Sequence, residues 1–329
     1  MFIRRLLMLL AVTIMSVTAF YGQQKHKVVE TKIQISSYPE LADRCESHLT
    51  TLYFDWVDDQ TFLVGFSAAP CIKQPHWVSG SWKTLLIDIN GKVLSSSNQY
   101  DCCYLKRFGR GLPLRFLSLN KHMDVQIVDI HLNTLKTIPC IESKCNFFLA
   151  TGTTGFALCR SSDNGLCHYY KGADAEAVPA ANFANAFPEL QGRRVDNRPP
   201  GRGAYDLGNG EAWTFDKKCH LSGRRADGST FSIPGYVSRL DEDCSGQIPW
   251  ETPSRFLAYF NGGIVWGREM ILYGYKRLTL YDVPTHTPLF TWNPGLADLE
   301  TLSPDGQRVA VISSAGLFRG AEIQIYYIP

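Results

Sequence analysis

The chain of 329 residues lacks the short motifs through which many enzymes show their chemistry. It has no Gly-x-Ser-x-Gly, and so no nucleophile elbow; Ser79 in Trp77-Val-Ser-Gly-Ser-Trp82 stands beside glycine without that spacing. It has no His-Glu-x-x-His, no phosphate loop and no Gly-x-Gly-x-x-Gly, which removes motif support for a zincin, an NTPase or a dinucleotide enzyme. It has no Cys-x-x-Cys, so a zinc ribbon is poorly supported. None of its eight histidines stands two or four residues from another, and they read as structural or surface groups. Nothing in the sequence calls for a cofactor. No segment beyond the N-terminal apolar run carries the 3.6-residue period of a long amphipathic helix. The formal net charge is only +2, which gives no electrostatic case for nucleic acid or an anionic membrane.

The chain opens with Met1-Phe-Ile-Arg4-Arg5, an apolar run from Leu6 to Met15, and Ser16-Val-Thr-Ala19. This is the order of a signal peptide: positive, apolar, then small residues at a cleavage site. We expect residues 1–19 to be removed after Ala19, leaving a formally neutral chain from Phe20 onward. The run is short for a membrane span, so an uncleaved anchor is the lesser reading and the mature chain is expected to carry no transmembrane span. The expected location is periplasmic or extracellular.

What is abundant is short apolar segments broken by turns. Residues 27–36 alternate as a strand does. Leu52–Val57 and Thr61–Phe66 flank the acidic turn Asp58-Asp-Gln60. Ser81–Ile89 and Lys92–Leu94 flank Asn90-Gly91, a strong hairpin signal. A sub-pattern of apolar strand, Asp, apolar residue recurs at Asp88, Asp129 and Asp282. The first two are one period of roughly 40 to 45 residues apart, and the gap to the third holds about three to four such periods. Met270–Tyr273 and Leu278–Val283 read as separate strands. The C-terminal stretch is the clearest copy: Leu299–Leu302, the turn Ser303-Pro-Asp-Gly306, Arg308–Ile312 and Ala321–Ile328. Residues 174–190, alanine-rich and limited by Pro179 and Pro188, are the one helix candidate.

The Ser303-Pro-Asp-Gly306 turn with Arg308-Val-Ala-Val311, and the hairpins at Asp88, Asp129 and Asp282, resemble exported bacterial β-propellers of the WD40-like and TolB-like kind. The resemblance implies an all-β propeller over residues 20–329 as one domain, with six blades and seven as the alternative count. It implies a funnel-shaped face for a ligand or partner and no particular reaction. The Gly-His and Trp-Asp dipeptides of WD40 blades are missing, so that family's hydrogen-bond tetrad does not carry over. A lone blade is too small to stand, and the last copy supplies three strands. The N-terminal strand is expected to supply the fourth, closing the ring.

Ten cysteines after a signal peptide read as a disulfide framework in an oxidising compartment. Cys159 and Cys167 flank the turn 161–166, so antiparallel pairing sets them opposite each other. Cys45 and Cys71 are placed similarly about Asp59, Cys140 and Cys145 are close in sequence, and Cys219 and Cys244 remain as a longer loop. Cys102 and Cys103 either bond to each other or pair with Cys45 and Cys71; a redox role for the vicinal pair is the lesser reading.

Arg193, Arg194, Arg198 and Arg202, in a long loop, form a candidate anion-binding group, with Arg224 and Arg225 on a second predicted loop. Asp58-Asp59 and Asp241-Glu-Asp243 fit turns better than a calcium loop. The leading reading is a non-catalytic binding protein with a protein or carbohydrate partner. The alternative is a propeller-scaffold glycan hydrolase or lyase with carboxylates meeting at a central channel.

Overall fold

The computed structural model describes residues 28–41, 50–67, 82–98, 106–108, 115–119, 124–140, 145–150, 155–160, 167–188, 205–207, 209–235, 243–249, 254–266, 270–295, 299–313 and 321–328. Strand β1 (Val28–Gln34) comes first. Sheet 1 follows with β2 (Thr50–Trp56), β3 (Thr61–Ser67), β4 (Trp82–Asp88) and β5 (Val93–Ser97). Sheet 2 holds β6 (Lys106–Phe108), β7 (Arg115–Leu119), β8 (Val125–Val128) and β9 (Thr134–Ile138). Sheet 3 holds β10 (Cys145–Ala150), β11 (Gly155–Arg160), β12 (Cys167–Lys171) and β13 (Glu176–Val178). Sheet 4 holds β14 (Tyr205–Asp206), β15 (Glu211–Phe215), β16 (Leu221–Arg225) and β17 (Thr230–Ser232). Sheet 5 holds β18 (Asp243–Gln247), β19 (Arg255–Trp266), β20 (Met270–Asp282) and β21 (Thr287–Gly295). Sheet 6 holds β22 (Leu299–Leu302), β23 (Arg308–Ser313) and β24 (Glu322–Tyr327), and β1 is its fourth strand.

The chain is therefore all-β, built of antiparallel four-stranded meanders. The two ends of the described chain share one sheet: β1 pairs antiparallel with β24, from Val28↔Tyr327 to Gln34↔Glu322. Alternation explains the fit. Ile33, Ile323 and Ile325 all point into a core shared with sheet 1, where Phe54, Trp56, Phe62, Val64, Phe66, Leu85 and Ile87 are buried. The second strands are buried on both faces, as Val309, Ala310, Val311 and Ile312 of β23 are, because a sheet packs on either side.

Shared apolar clusters join sheets 1 and 2, 2 and 3, 4 and 5, 5 and 6, and 6 and 1. Sheet 3 also carries a cluster in which Ala157, Cys159 and Tyr169 pack with Ala186 and Phe187. The chain at 189–204, between sheets 3 and 4, lies outside the described residues, as do residues 1–27.

Two sequence expectations are corrected. The helix expected over 174–190 is reduced to α1 (Phe183–Ala186), whose start is capped by the Asn182 side chain accepting from Asn185 N–H at 2.9 Å. Residues 176–178 pair as β13 with Tyr169–Lys171 instead. Sheet hydrogen bonds outweigh alanine's intrinsic helix preference, which tertiary pairing readily overrides, and Pro179, lacking an N–H, ends the pattern. The segments 270–273 and 278–283 form one continuous strand through Gly274, which pairs with Gly263.

Topology separates two edges of the sheets. Turns at 57–60, 89–92, 129–133, 151–154, 172–175, 207–210, 226–229, 283–286 and 303–307, with the longer connections 109–114 and 248–254, join first to second and third to fourth strands on one edge. The connections 68–81, 98–105, 179–204 and 233–242 leave from the opposite edge. There too β19 and β20 run past their neighbours. Strand β18 pairs with β19 only over Leu257–Asn261, and β21 with β20 only from Lys276, while β19 and β20 stay paired out to Trp266↔Met270.

Candidate functional site

Three groups of polar side chains are positioned by these sheets, starting with the short turns. Asp88, Asp129 and Asp216 each end a strand, and each turns its carboxylate back on the chain. Asp88 Oδ1 accepts from the N–H groups of Asn90 and Lys92, both at 2.9 Å. Asp129 Oδ1 accepts from His131 and Asn133, both at 2.8 Å, and Asp216 Oδ1 from Lys218 and His220 at 2.7 and 2.9 Å. Asp282 takes the Thr285 hydroxyl at 2.6 Å. Burial pushes the Asp129 carboxyl up, but the N–H groups and side chain of Asn133 and the His131 N–H outweigh it and hold it below the ordinary range. The His220 and Lys218 N–H groups hold Asp216 low in the same way. These carboxylates are committed to turns.

The second group lies along first strands, with Tyr259 on the second strand of sheet 5. Tyr205 Oη sits 3.1 Å from Ser245 Oγ and accepts from the Gly246 N–H at 2.8 Å, linking sheets 4 and 5. Tyr259 is pushed up to about 12 by burial, which the hydrogen bond with Ser245 opposes and the Glu300 charge reinforces. Leu302 N–H donates to Gln247 Oε1 at 3.0 Å, linking sheets 5 and 6. The Thr301 hydroxyl donates to Asp55 Oδ1 at 3.1 Å, and Trp56 Nε1–H to the Thr301 carbonyl at 3.3 Å, linking sheets 6 and 1. Hydroxyls, amides and one carboxylate thus satisfy one another from sheet to sheet.

The third group clasps sheet 4 to sheet 5. His286 Nε2 lies 2.9 Å from Glu211 Oε2, which also accepts from Trp213 Nε1–H at 3.3 Å. The imidazole stacks on Phe231 with centroids 4.4 Å apart, and the Arg225 guanidinium lies 4.4 Å over that same ring. His286 has a φ of +55°, a left-handed conformation costly for a residue with a Cβ. Cys219 is left-handed too, with a φ of +61°, and is bonded to Cys244 of sheet 5.

Cys159 and Cys167 are bonded across β11 and β12, where they are direct partners. Cys140 is disulfide-bonded as well. The side chain of Cys145 and all of Cys45, Cys71, Cys102 and Cys103 lie outside the described residues. So do Arg193, Arg194, Arg198 and Arg202. Arg224 and Arg225 end β16, apart from any described anion site. Asp58 accepts from the Gln60 N–H at 2.8 Å, and Asp59 from the Asp305 N–H at 3.1 Å. The Glu211–His286 pair escapes sequence reading, since its partners are 75 residues apart. Its one local signal is a histidine at the turn position that Gly91, Gly228 and Gly306 fill elsewhere.

Among the described residues, no group of three or more His, Cys, Asp or Glu gathers as for a metal ion, and no helix is long and apolar enough to cross a membrane. No protein-family model matches the chain, and no curated protein does. Among solved structures it is similar to the C-terminal WD40 domain of Sif2, with 8% identity over 86% of this chain and 99% of that one and a TM-score of 0.39.

Proposed function

We propose that this chain is an exported, disulfide-bonded, six-bladed propeller that binds a protein partner through the edge bearing its long connections. The observation that carries this reading is the asymmetry of the two sheet edges. One edge carries mostly short turns, where Asp88, Asp129 and Asp227 spend their carboxylates on their own backbone. The other carries the long connections and the extended ribbon of β19 and β20. Binding residues belong on loops held by a rigid scaffold, and long loops in compact domains are commonly functional. The disulfides Cys159–Cys167 and Cys219–Cys244 support an oxidising compartment, in keeping with a signal peptide at 1–19. Among the described residues, Cys140, Cys159, Cys167, Cys219 and Cys244 stand at strand ends or turns on the long-connection edge. Staples placed there restrain the loops that would face a partner.

Site-specific photo-crosslinking in cells producing the full chain tests this. A benzophenone amino acid replacing Ile271, on the ribbon, is expected to yield a protein adduct. The same group replacing Asn90, in a short turn, is expected to yield none. Adducts at Asn90 alone, or at neither position, would overturn the reading. N-terminal sequencing of the exported protein is expected to start at Phe20.

A further inference from the structure

We propose that the Cys159–Cys167 disulfide is a thiol-exchange site, opened by an exported protein dithiol while Cys219–Cys244 stays closed. The two bonds do different structural work. Cys159 and Cys167 are direct cross-strand partners with Cα atoms 4.1 Å apart, and their separation is set by the sheet. The same register pairs Gly155–Leu158 with His168–Lys171. Phe156, Ala157 and Leu158 are buried, and Phe156 stacks on Tyr170 with centroids 4.9 Å apart. These contacts hold the two strands whether or not the sulfurs are joined. The bond also closes a short loop, with a sequence separation of 8 against 25 for the other pair, so it restrains the unfolded chain less.

Access differs as well. Cys167 is half-buried at the start of β12, beside the 161–166 connection. Cys219 and Cys244 are both buried, inside the cluster that holds Trp213, Phe215, Phe256 and Phe260. Attack on a disulfide needs a thiolate in line with one sulfur, so exposure of a single sulfur sets the rate.

The exchange balances as follows. A donor thiolate attacks Cys167 Sγ; a mixed disulfide forms, the Cys159–Cys167 bond breaks, and the electron pair leaves on Cys159 Sγ, which takes a proton from water. The donor's second thiolate then attacks its own sulfur in the mixed disulfide. Cys167 leaves as a thiolate and is protonated. Two electrons pass to this chain, and the donor is left as a disulfide.

The test uses the mature chain under native conditions. Dithiothreitol, and separately a purified Cys-x-x-Cys reductase of the thioredoxin type, is added. Samples are quenched in acid at intervals, alkylated and mapped by mass spectrometry. Cys159 and Cys167 are expected to be labelled about tenfold faster than Cys219 and Cys244 with either reductant, with far-ultraviolet dichroism unchanged. Equal rates, faster labelling of Cys219 and Cys244, or no labelling by the protein dithiol would overturn the proposal. The double variant Cys159→Ser/Cys167→Ser is expected to keep the wild-type dichroism and lose the fast phase. A variant that fails to fold would overturn the claim that the sheet stands without the bond.

Discussion

The junction between sheets 4 and 5 and the junction between sheets 6 and 1 meet the same need by different means. Each presses two four-stranded sheets together over an aromatic core, around Trp213 and Phe256 in one and Trp56 and Phe62 in the other. Sheets 4 and 5 are then fastened at both edges: by Cys219–Cys244 on the long-connection edge and by Glu211–His286 on the short-turn edge. Both fasteners use a residue in the left-handed region, Cys219 or His286. The junction of sheets 6 and 1 has hydrogen bonds in place of such ties, from Trp56 to Thr301, Thr301 to Asp55, and Asp305 to Asp59. Its reinforcement is topological, because sheet 6 holds both ends of the described chain. A covalent tie between sheets is useful mid-chain, where no strand from the far end can be recruited.

Breaking either core gives the largest effect. Trp213→Ala and Trp56→Ala remove fully buried indoles and are each expected to cost about 3 to 5 kcal/mol in urea unfolding. Equal losses would put the junctions on the same footing before their fasteners are counted. Next, Cys219→Ser/Cys244→Ser is expected to cost about 2 to 4 kcal/mol and to raise hydrogen exchange in β15 and β18 more than in β2 and β22. A uniform rise would contradict the local role given to the bond. Glu211→Gln leaves the imidazole an acceptor but removes the charge, and is expected to cost about 1 kcal/mol by thermal unfolding.

The smallest effect has a sign that discriminates. Burial raises the Asp59 carboxyl, opposed by the Asp305 N–H and reinforced by the Asp305 charge. A folded value above the unfolded one means that ionisation of Asp59 destabilises the fold at neutral pH. Asp59→Asn keeps an acceptor for the Asp305 N–H and is expected to stabilise by less than about 0.5 kcal/mol at neutral pH. That gain fades as pH falls through the raised value and the wild-type carboxyl takes up its proton. Asp129, held low by N–H groups, has the opposite sign: Asp129→Asn destabilises at neutral pH, and its loss fades as pH falls through the lowered value. Unfolding curves for both variants across the acid range would show two trends of opposite direction.

Much of the fold was legible because turn chemistry is local. Ser303-Pro-Asp-Gly306 places Gly306 at a φ of +73°, with its N–H donating to the Ser303 carbonyl at 2.9 Å. A Cβ at that glycine would come within 2.6 Å of Arg255 Cγ, so the turn also has to be small to seat against sheet 5. The Asp-ended strands announced themselves for the same reason, each carboxylate serving a backbone a few residues away. Less legible were turns that repeat the shape without glycine. Leu132, Ala175, Cys219 and His286 occupy the left-handed position, held there by burial, a disulfide or the imidazole–carboxylate contact. Those holding forces come from other parts of the chain. Residues 176–178 form a strand in place of the expected helix on similar grounds, because strand pairing with 169–171 is a tertiary effect that alanine content does not report. The Tyr205–Ser245–Tyr259 group is not legible in the sequence: Ser245 and Tyr259 meet as register partners of β18 and β19, and Tyr205 joins them only when sheets 4 and 5 pack.

The pairing of β1 with β24 in sheet 6 is the central claim, and it is tested most directly by removing β1. A chain that begins at residue 38 lacks Ile33 and Ile35, and leaves one edge of β24 unpaired. Compared by calorimetry with the chain from Phe20, it is expected to melt at least about 10 °C lower, or not to fold, with hydrogen-exchange protection lost first in β24 and β23. An unchanged melting temperature, with β24 as protected as in the longer chain, would contradict a structural role for the β1–β24 pairing.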